Sequence, residues 1–369
     1  MKKIYLAIFI SCIFPYDYSG YIETNIDALK SYNSYYLGYS KARLNINDSI
    51  SNDIFINSSI VGINNFGKQI FTLMEVIPKT NNNSFDEIDP ILINDRLFLD
   101  QLYVTYKKNN FKILLGKQPL YYGSGYIWNP VNNISFKNSI DPTYEIEGIS
   151  SIRIQFYSSE RDYDFVFLPN KEGENISFFS SMGFSFTGQS FRFYLSRFLN
   201  DYYNDNQLHS KFENAIGYSQ SGALFNIGVW SELYNYINSK RSDWLIGFDY
   251  TFNNGIYMMY ERYHQDLNYS YKNEYPDHIF MDLIYGNINS IGIDYSFSSI
   301  GIYMDDNIRL SIQGIFNHTD ESRIIFPQID CNYLDDVDIV FMLYLFNGKY
   351  NTEYGINDYG CKLRMNIYF

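Results

Sequence analysis

The feature that most narrows what this chain can become is a two-residue alternation that runs to its last residue. Tyr359, Cys361, Leu363, Met365, Ile367 and Phe369 share one face, and Asp358, Gly360, Lys362, Arg364, Asn366 and Tyr368 share the other. A period of two belongs to an extended strand, whose successive side chains point to opposite sides. A slip of one residue would carry Lys362 and Arg364 to the apolar side, so the register is strongly specified. The same split separates Ile308, Leu310 and Ile312 from Arg309, Ser311 and Gln313, and Ile291, Ile293, Tyr295 and Phe297 from Ser290, Gly292, Asp294 and Ser296. It recurs in Trp244, Ile246, Phe248, Tyr250 and Phe252 against Asp243, Gly247, Asp249 and Thr251, and in Ile152, Ile154 and Phe156 against Ser151, Arg153 and Gln155. A soluble sandwich also alternates, but with fewer strands and a polar outer face. Alternation along nearly the whole chain calls for an all-β, closed antiparallel transmembrane barrel, with apolar residues in lipid and polar residues around a water-filled axis.

Composition agrees. The 369 residues include 38 tyrosines and 30 phenylalanines, yet the hydrophobic share is 46% and mean hydropathy is −0.26. Beyond the N-terminus no stretch approaches the roughly 18 consecutive apolar residues a spanning helix needs, whereas a barrel strand shows lipid only every second residue and averages out as mildly polar. The formal charge of −13 argues against nucleic-acid binding. At the start, Lys2 and Lys3 precede an apolar run over 4–14, Pro15, and the small residues Ser19 and Gly20. This is the layout of an export signal, assigned to 1–19, which leaves 20–369 as a single barrel domain. Cys12 lies in the signal, and Cys331 and Cys361 fall on lipid-facing positions near opposite rims, so no disulfide is expected.

Barrel hairpins alternate between tight periplasmic turns and longer outer loops. Tight turns are expected at 47–52, 108–110, 158–161, 187–189, 219–222, 253–255, 305–307 and 335–336, all rich in residues that tolerate turn geometry. Longer loops are expected near 64–95, 118–144, 169–175, 200–210, 233–240, 265–287, 318–323 and 348–357, with a short one near 29–34. These connections delimit 18 strands, an even number that returns both termini to the periplasm; 16 is the alternative, because 68–77 reads as either loop or strand.

Two segments resemble known proteins. The ending Met365-Asn366-Ile367-Tyr368-Phe369 resembles the C-terminal signal of bacterial outer-membrane proteins, which implies delivery to the barrel assembly machinery through Tyr368 and Phe369. Gly116-Lys117-Gln118 followed by Gly123-Ser124-Gly125-Tyr126-Ile127-Trp128-Asn129-Pro130 resembles a G-R-Q-x-x-x-W-G-x-G-x-x-W-N-P pattern of porin-like outer-membrane barrels, and Glu147-Gly148 and Arg153 fit the same layout. Lys117 stands where that group has arginine and Tyr122 where it has tryptophan. The resemblance implies a porin-type barrel.

The stretch 118–147 is read as an outer loop folded into the lumen. Gly123 and Gly125 permit sharp bends, Tyr121, Tyr122, Tyr126 and Trp128 supply rigid bulk, and Asn129-Pro130 ends any strand. The competing reading is that these residues brace a strand end at the aromatic girdle. Inward positions hold Lys41, Arg43, Lys112, Arg153, Arg192, Arg309, Lys362 and Arg364, while Asp141, Glu145 and Glu147 belong to the candidate loop. Separated charges of this kind set a transverse field across a constriction; alternatively the basic residues pair across strands with Asp164, Asp243, Asp249 or Asp294. His209, His264, His278 and His318 fall in or beside outer loops, with Asp266 and Asp277 near two of them, which is the weak outline of a rim hydrolase. No histidine or cysteine spacing suits a metal, no glycine pattern suits a nucleotide, and no cofactor is expected. Tyr263, Tyr269, Tyr271 and Tyr275 offer stacking faces for sugars, so a surface adhesin or polysaccharide-anchoring barrel is the alternative to a passive channel for small hydrophilic solutes. The expected surroundings are outer-membrane lipid; oligomeric state is not legible.

Overall fold

A computed structural model describes residues 17–31, 34–72, 75, 78, 90–135, 140, 145–170, 175–204, 207–271, 274–284 and 286–369, with the side chains of 201–209 and 284 left aside. The expected signal segment, apart from its last three residues, Cys12, Asp141 and the His209 side chain lie outside the described residues.

The strands in chain order are β1 (Asp17–Lys30), β2 (Ser34–Ser51), β3 (Ile54–Gly67), β4 (Ile70–Phe71), β5 (Ile91–Leu92), β6 (Arg96–Lys108), β7 (Phe111–Gln118), β8 (Ile149–Tyr157), β9 (Arg161–Pro169) and β10 (Ile176–Phe186). They continue as β11 (Gln189–Asn204), β12 (Gln207–Leu224), β13 (Ile227–Tyr236), β14 (Ser242–Thr251) and β15 (Tyr257–His264). After helix α1 (Asp277–Ile284) come β16 (Asp294–Tyr303), β17 (Ile308–Asn317), β18 (Ser322–Leu334), β19 (Val337–Asn347) and β20 (Tyr359–Tyr368). Eighteen of these form one antiparallel meander, and β4 and β5 make a separate two-stranded sheet. The meander closes because β1 pairs with β2 on one edge and with β20 on the other, from Tyr21↔Tyr368 to Lys30↔Tyr359. Closure leaves no strand edge whose amides would face hydrocarbon unpaired. At the seam Gly20 N–H donates to Phe369 O (2.8 Å), Phe369 N–H donates to Gly20 O (3.0 Å), and a Cβ on Gly20 would lie 2.6 Å from Phe369 Cζ.

The expected alternation holds on β20. Leu363 is 47% exposed on the outside and Lys362 only 9% inside. The same sense of facing holds on β8, β14 and β17. On β16 it is reversed: Tyr295 and Phe297 are fully buried inside the barrel, and Asp294 and Ser296 face outward. The lumen beside β16 is occupied by Trp128 and Tyr126, so an apolar side chain there is buried by facing inward. A polar inner face is thus the rule only where the lumen is not filled by the inner segment.

The short turns and longer connections alternate as expected. The turn placed at 219–222 is displaced: β12 runs on to Leu224, and Phe225 and Asn226, with φ of 51° and 68°, make the reversal. The connection near 200–210 is almost all strand, since β11 reaches Asn204 and β12 starts at Gln207. The loop expected at 265–287 extends to the start of β16 and carries α1, whose Ile279 and Phe280 pack with Leu267, Tyr275, Ile288 and Ile291. Cys331 and Cys361 are free.

The orientation gives a direct test. Leu363→Arg places a cation in hydrocarbon and should cost roughly 2–4 kcal/mol in denaturant unfolding from lipid vesicles. Arg364→Leu, on the inner face, should cost less than half as much; equal costs would mean the faces are misassigned.

Candidate functional site

The chain leaves the wall at the end of β7 and turns into the lumen. Leu120, Ile127, Trp128 and Val131 are almost wholly buried there, between two apolar clusters contributed by the inner wall. Irregular backbone within a barrel needs partners for its amides. Two acids on the wall supply them. Glu232 of β13 accepts from the N–H groups of Ser124, Gly125 (2.9 Å) and Val131 (3.3 Å), and from Asn129 Nδ2 (3.2 Å). Glu261 of β15 accepts from the N–H groups of Tyr126 and Ile127 (2.9 Å) and from Trp230 Nε1 (2.7 Å). Glu232 is 2% exposed and Glu261 0%, and neither has a cationic partner among the described residues. Each carboxyl is met by neutral donors alone, chiefly backbone N–H groups with the Asn129 amide or the Trp230 indole N–H added.

The glycines make this grip sterically feasible. Gly123 has φ +97°, and a Cβ there would come 2.6 Å from Glu232 Oε1; a Cβ on Gly125 would lie 1.9 Å from Trp128 O. Trp128 stacks on Tyr263 at 5.3 Å between ring centroids and donates from Nε1 to Ser290 Oγ (3.3 Å). Tyr121 donates to Asn129, which donates back into the same bend at Gly125 O (3.0 Å). Tyr122 packs on Phe179 and donates to Asp164 Oδ2 (2.9 Å), the carboxylate that Arg153 Nε approaches at 3.0 and 2.9 Å. Arg153, Asp164 and Tyr122 therefore tie the loop to β8 and β9.

All eight basic residues expected on the inner wall face inward. Lys41 and Arg43 converge on Glu145 (3.2 and 3.0 Å), and Arg43 also meets Asp100 (2.8 Å). Arg192 pairs with Asp162 (2.5 Å) and donates to Ser181 (2.8 Å). Lys112 stands opposite the inward Gln155. Arg309 and Arg364 line a polar cavity of about 510 Å³ that runs from Tyr126, Lys41 and Glu145 to Asp338 and Tyr368 at the tight-turn end. Lys362 lies buried just above. Glu147, expected in the inward loop, borders Lys41, Arg43, Asp100 and Glu145 and pairs with Arg96 (2.7 Å), both side chains half exposed. Of the partners suggested across strands, Asp164 pairs inside with Arg153, whereas Asp243 takes Arg241, Asp249 accepts from Tyr257, and Asp294 faces outward to Arg262 (3.3 Å) and His264 (3.1 Å). Glu232 and Glu261 escaped the sequence reading; the available signal was an acid at an inward position of two neighbouring hairpins that also carry Trp230 and Tyr263.

Two of the histidines, His264 and His318, meet neighbouring outward residues of β16. His264 meets Asp294 rather than Asp266, His278 is exposed on α1, and His318 Nε2 contacts Ser296 Oγ at 2.7 Å. Tyr263 is buried in the lumen, while Tyr269, Tyr271 and Tyr275 pack in the outer cap. There Tyr275 donates to Asp320 (2.7 Å), and Tyr295 and Asn317 donate to Glu353 Oε2 (2.8 and 2.7 Å), docking the loop between β19 and β20.

Two outcomes are expected. Glu261→Ala strands two loop amides and an indole N–H, and should lower stability by roughly 2–4 kcal/mol, read as a shifted urea midpoint. Glu353 behaves differently. Burial, with Asp320 adding to it, raises its carboxyl from the usual 4.5 to about 8. The detached loop ionises near 4.5 while the docked loop keeps its proton, so docking weakens as pH climbs from there to about 8 and is constant above. Infrared spectra should show a protonated-carboxyl stretch that disappears near pH 8 and is missing from Glu353→Gln; a stretch unchanged in that variant would reassign it.

No family model matches the chain, and no curated protein matches it significantly. Solved structures do. Wzi, an outer-membrane protein of Escherichia coli involved in group 1 capsule assembly and described as a carbohydrate-binding β-barrel, is similar with TM-score 0.60 at 13% identity, over 99% of this chain and 88% of that one. A mutant of the Rh. blastica porin gives TM-score 0.52 at 8% identity, over 96% of this chain and 100% of the other. OmpF of Salmonella typhi, solved with daunomycin, gives 0.50 at 9% over 96% and 97%. At such identities the likeness establishes the fold, which is that of outer-membrane β-barrels.

Proposed function

We propose that this chain is exported by its N-terminal segment, is assembled into an outer membrane through its terminal aromatic pair, and lets small hydrophilic solutes cross slowly past a fixed constriction. The observation that carries this reading is the segment 119–135 held inside the barrel by Glu232 and Glu261, beside a polar cavity of about 510 Å³. A pore narrowed by rigid aromatic bulk and lined by paired charges discriminates by size first and by dipole second. The constriction is set by hydrogen bonds rather than by a hinge, so passage is slow and ungated.

One observation favours a second reading. The inner wall above the cavity is apolar and dry, with Ile315, Ile324 and Phe326 all at 1% exposure or less. A barrel closed there would present its polar cavity or its outer cap to a ligand, and Wzi, a carbohydrate-binding barrel, is the precedent for that use of a similar fold.

Planar-bilayer recording separates the two. The channel reading expects small, stable, ohmic steps from the native chain and steps several-fold larger from Glu232→Ala/Glu261→Ala, in which the inner segment is released. A native chain that stays silent while the double variant conducts would favour the closed, ligand-presenting barrel.

A further inference from the structure

The outer surface of β15–β18 carries a polar patch that neither reading uses. Cross-strand register places Arg262, Ser296, Phe316 and Arg323 in one outward row, through the pairs Arg262↔Ser296, Ser296↔Phe316 and Phe316↔Arg323. One step nearer the outer rim, His264 stacks on the girdle residue Trp244 and shares Asp294 with Arg262. His318 sits between the rows on Ser296. One carboxylate thus meets Arg262 and His264, with His318 beside it, and Arg323 stands two strands along the same row. Arg323 is exposed and has no ion-pair partner among the described residues.

Directly below on the same strands lies a lipid-facing groove of about 610 Å³, walled by Ile300, Ile312, Ile325, Pro327 and Phe341 and capped by Phe316. Its floor is the row Ser298–Gly314, where the outward side chains are small. A cation cluster at headgroup height is attracted to anionic lipid, and bidentate arginine suits phosphate in particular. A flat apolar wall would solvate acyl chains evenly, whereas a groove holds one.

We propose that this face binds a single phosphate-bearing amphiphile of the outer leaflet, with the phosphate between Arg262 and Arg323 and one acyl chain in the groove over Gly314. Asp294 orients Arg262 and His264 toward the headgroup, and Trp244 marks the depth of the membrane surface. The proposal rests on the chain spanning a membrane but not on whether it conducts.

Native mass spectrometry of the full barrel in detergent, with dilauroyl phosphatidic acid, dilauroylglycerol and inorganic phosphate as separate probes, tests it. Phosphatidic acid should be retained as one copy per barrel, diacylglycerol should be lost, and millimolar inorganic phosphate should not displace the lipid. Arg262→Gln/Arg323→Gln should weaken retention about tenfold or more. Gly314→Leu fills the groove and should weaken it independently: a Cβ there lies 3.2 Å from the Phe316 ring, so the added bulk projects into the groove. Circular dichroism checks that both variants fold. Native-like retention by either folded variant, equal retention of diacylglycerol, or displacement by free phosphate would overturn the proposal.

Discussion

The structure is governed by the need to pair every main-chain amide in a place where water is scarce. In the wall this need is met by closing eighteen strands on themselves through the β1–β20 seam. Inside the wall it is met by side chains, because the segment 119–135 has no neighbouring strand to bond. Five of its amides go to just two carboxylates, Glu232 and Glu261. A burial this deep would be costly for a lone carboxylate, and it is tolerated because each acid is surrounded by donors. The inner segment is therefore part of the core of this barrel rather than a loop that visits its lumen.

That arrangement explains the aromatic richness of the chain. Some aromatic residues face lipid or sit at the rims, as Trp244, Phe248 and Phe252 do. Others, including Trp128, Tyr263, Tyr295 and Phe297, are packed within the lumen around the inner segment. A barrel with a middle packed by aromatic side chains and a polar cavity toward the tight-turn end has two environments where an open cylinder has one. At the outer end a third environment appears, where α1 and the connections around Tyr275 and Glu353 form a cap stitched by carboxylates and phenols.

Much of this was legible in the residues. The alternation on β20, β17, β14 and β8 fixed which face meets lipid, and the count of turns and connections gave 18 strands. Gly123, Gly125 and Trp128 marked the inward segment, and the basic residues of the inner wall were recognised by parity alone. What escaped depends on contacts between distant segments. Tyr295 and Phe297 were placed outside because nothing local reveals that Trp128 and Tyr126 wait inside. Ser219–Gly222 read as a turn because small and polar residues serve a strand packed against Tyr194 and Tyr234 as well as they serve a reversal. Glu232 and Glu261 resembled any other lumen acids, since the inner-segment amides that define them come from more than a hundred residues away.

The most direct test of the pinned inner segment is amide hydrogen exchange of the barrel in lipid nanodiscs, followed over peptides covering 119–135. The amides of Gly125, Ile127 and Val131 should exchange as slowly as those of the flanking strands β7 and β8. Exchange at the rate of an unstructured surface loop would show that the segment lies outside the lumen and would contradict the account.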